Sequence, residues 1–212
     1  MSGIADGVKK RSTAPLWIMV AIFAAPFLAA LFFFYNPQYL PVGKTNKGEI
    51  IEPAVPLPPE LGLYTPEGQE LDRKPLEQKW TLVYVAGGDC GEHCLDRLIE
   101  IRQIRLALGE GQLSVERLLI MTDPAAKELA AELGKRFEGM QVALTDTADG
   151  AELLDLLGEG TAALDRIYIL DPMGNLAMRY ASNAPADDTL KDMELLLKAT
   201  KDWIKGGQFR HE

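Results

Sequence analysis

Apolar residues fall along this chain in two regimes. Residues 16–35 are apolar throughout and uncharged, whereas from residue 80 onwards short apolar runs alternate with polar turns. Twenty uncharged residues, rich in Leu, Ile, Ala, Phe and Val, match a hydrocarbon core roughly 30 Å thick and predict one membrane-spanning helix. Pro26 within it is tolerated by such helices. In the later regime, residues 80–86 (Trp-Thr-Leu-Val-Tyr-Val-Ala) and 115–121 read as strands, the second buried on both faces around Leu118-Leu119-Ile120-Met121. Residues 141–145, 167–170 and 176–180 read as further strands, the last two joined by a turn at Asp171-Pro172-Met173-Gly174. Leu95, Leu98, Ile101, Ile104 and Leu108 recur at helical spacing and predict a helix over 94–109. Helices follow at 125–137, opened by Thr122-Asp123-Pro124, at 148–157 and at 189–204. Tyr64 to Gln69 carries the turn residues of a small hairpin.

The order β-α-β-α-β-α-β-β-α, with a hairpin last, predicts an α/β thioredoxin-like domain on a single N-terminal transmembrane helix. The expected divisions are a cytoplasmic N-terminus (1–15), an anchor (16–35), a proline-rich tether (36–60) and the domain (61–212). Six prolines (Pro37, Pro41, Pro53, Pro56, Pro58, Pro59) give the tether an extended character, and its apolar island at 49–53 is expected to dock on the domain. Lys9, Lys10 and Arg11 precede the apolar stretch, while Lys44 and Lys47 lie farther off and beside Glu49. The positive-inside rule then places the N-terminus in the cytoplasm and the domain outside, in a periplasm or a mitochondrial intermembrane space. A cleaved signal peptide is the competing reading, but the stretch is long for one and no small-residue cleavage site follows.

Composition narrows the function. The formal net charge is −9, and the positive residues before the anchor make the remainder more acidic still. Such a surface excludes nucleic acid, which needs a basic footprint, and disfavours lying flat on anionic lipid. It suits a basic protein partner, and solubility alone also accounts for it.

The chemistry rests on the chain's two cysteines, Cys90 and Cys94, between the 80–86 strand and the first domain helix. Gly87 and Gly88 permit a sharp turn, and Asp89 is placed to cap the helix. Amides and dipole at a helix N-terminus stabilise a thiolate. A helix starting at Cys90 would set both sulfurs on one face, about one turn apart. They could then form a disulfide or share a soft metal ion; two inert buried thiols are the plain alternative. Two cysteines and two histidines (His93, His211) supply too few ligands for iron–sulfur or zinc sites.

The Gly-Gly-Asp-Cys-x3-Cys elbow resembles the active-site element of the Sco/SenC proteins, thioredoxin-fold copper chaperones of cytochrome c oxidase assembly. Leu119 to Pro124, Leu144 to Thr147 and the Tyr168-Ile-Leu-Asp-Pro-Met-Gly174 hairpin resemble segments of that family in the same order, as does the single N-terminal anchor. The resemblance implies copper(I) as ligand and, as partners, a respiratory oxidase subunit or its copper-delivery protein, at an inner membrane. It carries Cys90 and Cys94 over as the family's cysteines. The prolines that usually follow them are Gly91 and Leu95 here, and the family's distal copper-binding histidine falls at Ala163. His93 is the substitute third ligand or an exposed residue that tunes the thiols. Arg166, near the position of the thioredoxin cis-proline, would favour a thiolate if it faced the pair; a surface salt bridge to Asp165 or a helix acid is its plain reading.

Three readings stay open. In the first, an anchored assembly factor performs thiol–disulfide exchange, with Cys90 attacking and Cys94 resolving. In the second, the same sulfurs hold copper(I). In the third, the pair is a structural disulfide in a non-enzymatic scaffold, though so small a loop stabilises little.

Overall fold

The computed structural model describes residues 13–36, 39, 46–158 and 160–206, with side chains described as far as residue 200. Lys9, Lys10, Arg11, Lys44 and His211 lie outside the described residues. The chain divides into two units, Met1–Thr45 and Asn46–Glu212. Of the first, the described part is essentially one helix, α1 (Ala14–Tyr35), long and apolar enough to cross a membrane.

The second unit is built on a six-stranded mixed sheet. Its strands are β1 (Glu49–Pro56), β2 (Trp80–Ala86), β3 (Val115–Met121), β4 (Gln141–Leu144), β5 (Arg166–Leu170) and β6 (Asn175–Arg179), in the spatial order β1-β6-β5-β2-β3-β4. β2, β3 and β4 run parallel, while β5 is antiparallel to β2, and β6 to β5 and β1. The helices are α2 (Glu92–Ala107), α3 (Lys127–Arg136), α4 (Thr147–Leu156) and α5 (Ala186–Gly206).

Strand alternation sorts the core into two layers. Leu82, Tyr84, Leu119, Met121, Val142 and Ile167 pack with α2, α3 and α5 on one face. Val83, Val85, Leu118, Ile120, Ala143 and Tyr168 pack on the other with Leu61, Leu63 and the α4 residue Leu153. Burial on both faces is why β2 and β3 are near-continuous apolar runs. Tyr64 pairs with Leu144 at the β4 edge and with Glu70 across the expected turn.

The segment read as tether needs correction at its far end. Residues 49–56 form the edge strand β1, so the expected docking of the 49–53 island takes the form of strand pairing with β6. Prolines are tolerated there because one side of an edge strand needs no donors. Just before β1, the buried Asp192 carboxylate of α5 accepts the backbone N–H of Lys47 at 2.9 Å and of Gly48 at 2.7 Å. It also accepts the Tyr180 hydroxyl at 2.9 Å. A Cβ at Gly48 would lie 2.6 Å from the Tyr180 ring, so this close approach requires glycine. Burial first, then the charge and hydrogen bond of Asp192, push the Tyr180 hydroxyl above its ordinary pKa.

Candidate functional site

β2 ends at Ala86, and the chain turns through Gly87-Gly88-Asp89 into α2. The turn is pressed against the loop that follows β3: a Cβ at Gly88 would lie 2.3 Å from an Asp123 carboxylate oxygen. Asp123 is itself committed, accepting the Ala125 N–H at 2.8 Å to cap the turn leading into α3. Gly88 thus lets two neighbouring loops at the C-terminal end of the parallel strands share one place.

Helix α2 starts later than a helix from Cys90 would. Gly91 is its N-cap, and no side chain caps it. Asp89 is therefore not the cap: it stands two residues before Gly91, exposed. Cys90 precedes the helix and Cys94 lies in its first turn, so the two are not stacked on one regular helix. They are nonetheless joined, with Cα atoms 5.1 Å apart in a Cys90–Cys94 disulfide. Cys94 is 3 % exposed and belongs to the core, whereas Cys90 is half-buried at its margin. The uncapped first-turn amides leave donors beside the sulfurs. Closing so short a loop contributes only about 2 kcal/mol on loop-entropy grounds.

The core layer that holds Cys94 also contains polar groups that the apolar pattern did not single out. The Tyr84 hydroxyl donates to Asp165 at 2.9 Å. Burial first, and then this bond and the Asp165 charge, push its pKa above the ordinary value. Asp165 adopts a left-handed backbone conformation, φ 59°, just before β5. Arg97, three residues after Cys94, is 5 % exposed. It donates to Glu100 at 2.5 Å, to the Ala184 carbonyl at 2.9 Å and to the Ser182 carbonyl, fastening α2 to the chain entering α5. One signal was available in the sequence: Arg97 interrupts a helical stripe whose other members, Cys94, Leu98, Ile101 and Ile104, are all buried.

Two other expected participants are placed by strand parity and by exposure. Arg166 opens β5 opposite Val85, and alternation groups it with Tyr168 and Leu170, on the sheet face away from α2 and the disulfide. Asp165, not Arg166, reaches the cysteine side. His93 is exposed on the first turn of α2.

A three-coordinate copper(I) ion would need both sulfurs as thiolates and a third donor. The sulfurs are bonded to each other, and Ala163, where a distal histidine would fall, is a fully buried methyl in the opposite core layer. Among the described residues no group of three or more His, Cys, Asp or Glu could hold a metal.

A family described as the transmembrane-like, thioredoxin-like C-terminal domain matches residues 80–200. Solved structures share the fold. Copper-bound ScoI of Arabidopsis thaliana is 18% identical with a TM-score of 0.55, over 72% of this chain and 98% of that one. Copper-bound yeast Sco1 is 17% identical with a TM-score of 0.55, over 74% and 96%. Apo Sco1 of Thermus thermophilus is 16% identical with a TM-score of 0.58, over 72% and 98%. At such identities the likeness establishes the fold alone. No curated protein matches the sequence.

Proposed function

The chain belongs to the family of transmembrane-like, thioredoxin-like C-terminal domains, and from that premise we propose that it is a membrane-anchored, Sco-like assembly factor acting by thiol–disulfide exchange. One observation carries this reading: a disulfide at a strand–helix elbow with one sulfur half-exposed and the other in the core. In the reduced chain, the Cys90 thiolate attacks one sulfur of a partner disulfide and releases the other as a thiolate. The Cys94 thiolate then attacks Cys90 in the mixed disulfide. The intramolecular bond forms, and the partner leaves with both sulfurs reduced. The chain is oxidised by the two electrons its partner gains. The half-buried Cys90 suits the intermolecular step and the buried Cys94 the intramolecular step.

The proposed partner is a respiratory-oxidase subunit or its copper donor, which the shared fold of the Sco structures supports. The proposed orientation puts the N-terminus in the cytoplasm and the domain in the periplasm or intermembrane space, on the distribution of Lys9, Lys10 and Arg11. Cys94→Ser should accumulate a covalent mixed disulfide with the partner, identified by mass spectrometry of non-reduced complexes. Absence of any adduct in the oxidising compartment would overturn the exchange reading.

Copper(I) is the second reading, favoured by the copper in two of the similar structures. Reduced Cys90 and Cys94 supply two thiolates, so a third donor must come from the partner or from His93. Copper(I) titration of the reduced chain against a competing chelator tests it: stoichiometric binding lost in Cys90→Ser supports it, and no binding with partner present overturns it.

A further inference from the structure

A second buried guanidinium, remote from the exchange chemistry, is furnished quite differently from Arg97. Arg117 on β3 is 3 % exposed. Its Nη2 donates to the Glu138 carbonyl at 2.8 Å, but its Nε and Nη1 are buried with no hydrogen-bond partner. A buried charged donor without an acceptor is among the costlier arrangements a fold can hold.

The surroundings add positive charge. Arg105 on α2 donates through Nε to the carbonyl of Val115, two residues before Arg117 on the same face of β3. Arg102 lies one turn earlier on the same helix and is exposed. Among the described residues neither Arg102 nor Arg105 is paired with a carboxylate. The adjacent acid, Glu116, alternates to the other face and is taken by Lys79. Burial, then the charges of Arg105 and Arg102, hold the Arg117 guanidinium below its usual pKa. Glu116 offsets part of this charge, but Arg117, Arg105 and Arg102 carry no carboxylate ion pair among the described residues, in a chain whose net charge is −9.

We propose that Arg117, Arg105 and Arg102 form a binding site for a small free oxyanion of the phosphate or sulfate class. Guanidiniums present paired N–H donors to such oxygens, and the anion would supply both the missing acceptors and the missing charge. A water molecule would supply only the acceptors. Arg102, which is exposed, and Arg105, which is partly buried, form the approach, and Arg117 the floor. A phosphate fixed to a bilayer would not reach so deep, which selects a free ion.

The test is thermal unfolding of the full chain in neutral detergent micelles, titrated with sodium phosphate against sodium chloride at matched ionic strength. A saturable rise in Tm with phosphate but not chloride is expected. Arg102→Gln and Arg105→Gln, which leave the buried floor intact, should each weaken the apparent affinity about tenfold. Arg117→Gln should abolish the response; should that variant fail to fold, the two outer variants decide. Equal responses to chloride and phosphate, or an undiminished phosphate response in both outer variants, would overturn the site. A response to micelles containing phosphatidylglycerol without one to inorganic phosphate would overturn the free-ion assignment.

Discussion

The elbow around Cys90 and the clamp around Asp192 solve opposite problems. At the clamp, one carboxylate collects two backbone amides and a tyrosine hydroxyl, and everything it touches is satisfied. At the elbow, the helix has no side-chain cap, Asp89 is exposed, and the turn keeps its place by fitting against Asp123. The lesson is a division of labour. Bonds are concentrated at the clamp and thinned at the elbow, which is what the proposed attack at a sulfur requires.

The sharpest way to break this contrast is to remove the sulfurs. With glutathione disulfide as oxidant, the reduced Cys94→Ser chain should stop at the glutathione adduct and never resolve, as followed by protein mass. Cys90→Ser should react far more slowly than wild type, because its remaining thiol is in the core. Next in size is Asp192→Ala, which strands three donors and should cost about 3–5 kcal/mol in denaturant unfolding. Its folded fraction should still exchange thiols at the wild-type rate. Gly88→Ala should behave inversely. The clash with Asp123 should cost only about 1–3 kcal/mol while slowing exchange about tenfold, and Asp123→Ala should restore much of both.

Alkaline titration distinguishes the regions more gently. The folded-state pKa values of Tyr84 and Tyr180 are raised above the unfolded value of 10.0. Their contribution to stability is therefore complete below about pH 10 and lost as pH rises towards the folded values. Tyr180→Phe should flatten that decline at the clamp, and Tyr84→Phe should flatten it in the core layer that holds Cys94, both seen as unfolding free energy against pH. Smallest of all, His93→Ala should change stability by less than about 0.5 kcal/mol, since the side chain is exposed.

How much of this was legible follows from what each element depends on. β2 and β3 could be read residue by residue because both faces are buried, so nearly every position is apolar. The nearness of Cys90 and Cys94 was likewise local, a matter of spacing at a strand–helix junction. β1 was not legible, because Pro53 and Pro56 disguise it and its pairing with β6 spans well over a hundred residues. Asp192 was hidden for the same reason: its amide partners, Lys47 and Gly48, are remote in sequence. Helix α2 begins two residues before the expected 94–109, and Gly91 holds the cap that Asp89 was expected to provide. Of the two readings of Arg166, strand parity opposes the one that faces the sulfurs. In a strand one residue's difference in register exchanges faces.

The Asp192 clamp also has a mechanical meaning. A domain on a membrane leash is pulled by its first residues, and here tension arriving along the backbone at Lys47 and Gly48 divides at once. Part continues into β1 as shear along its ladder with β6, which sets several hydrogen bonds in parallel. The rest crosses the carboxylate into α5. Neither path runs through β2, the strand that delivers Cys90; the α5 path meets the disulfide only by way of α2, at the Arg97 contacts with Ser182 and Ala184.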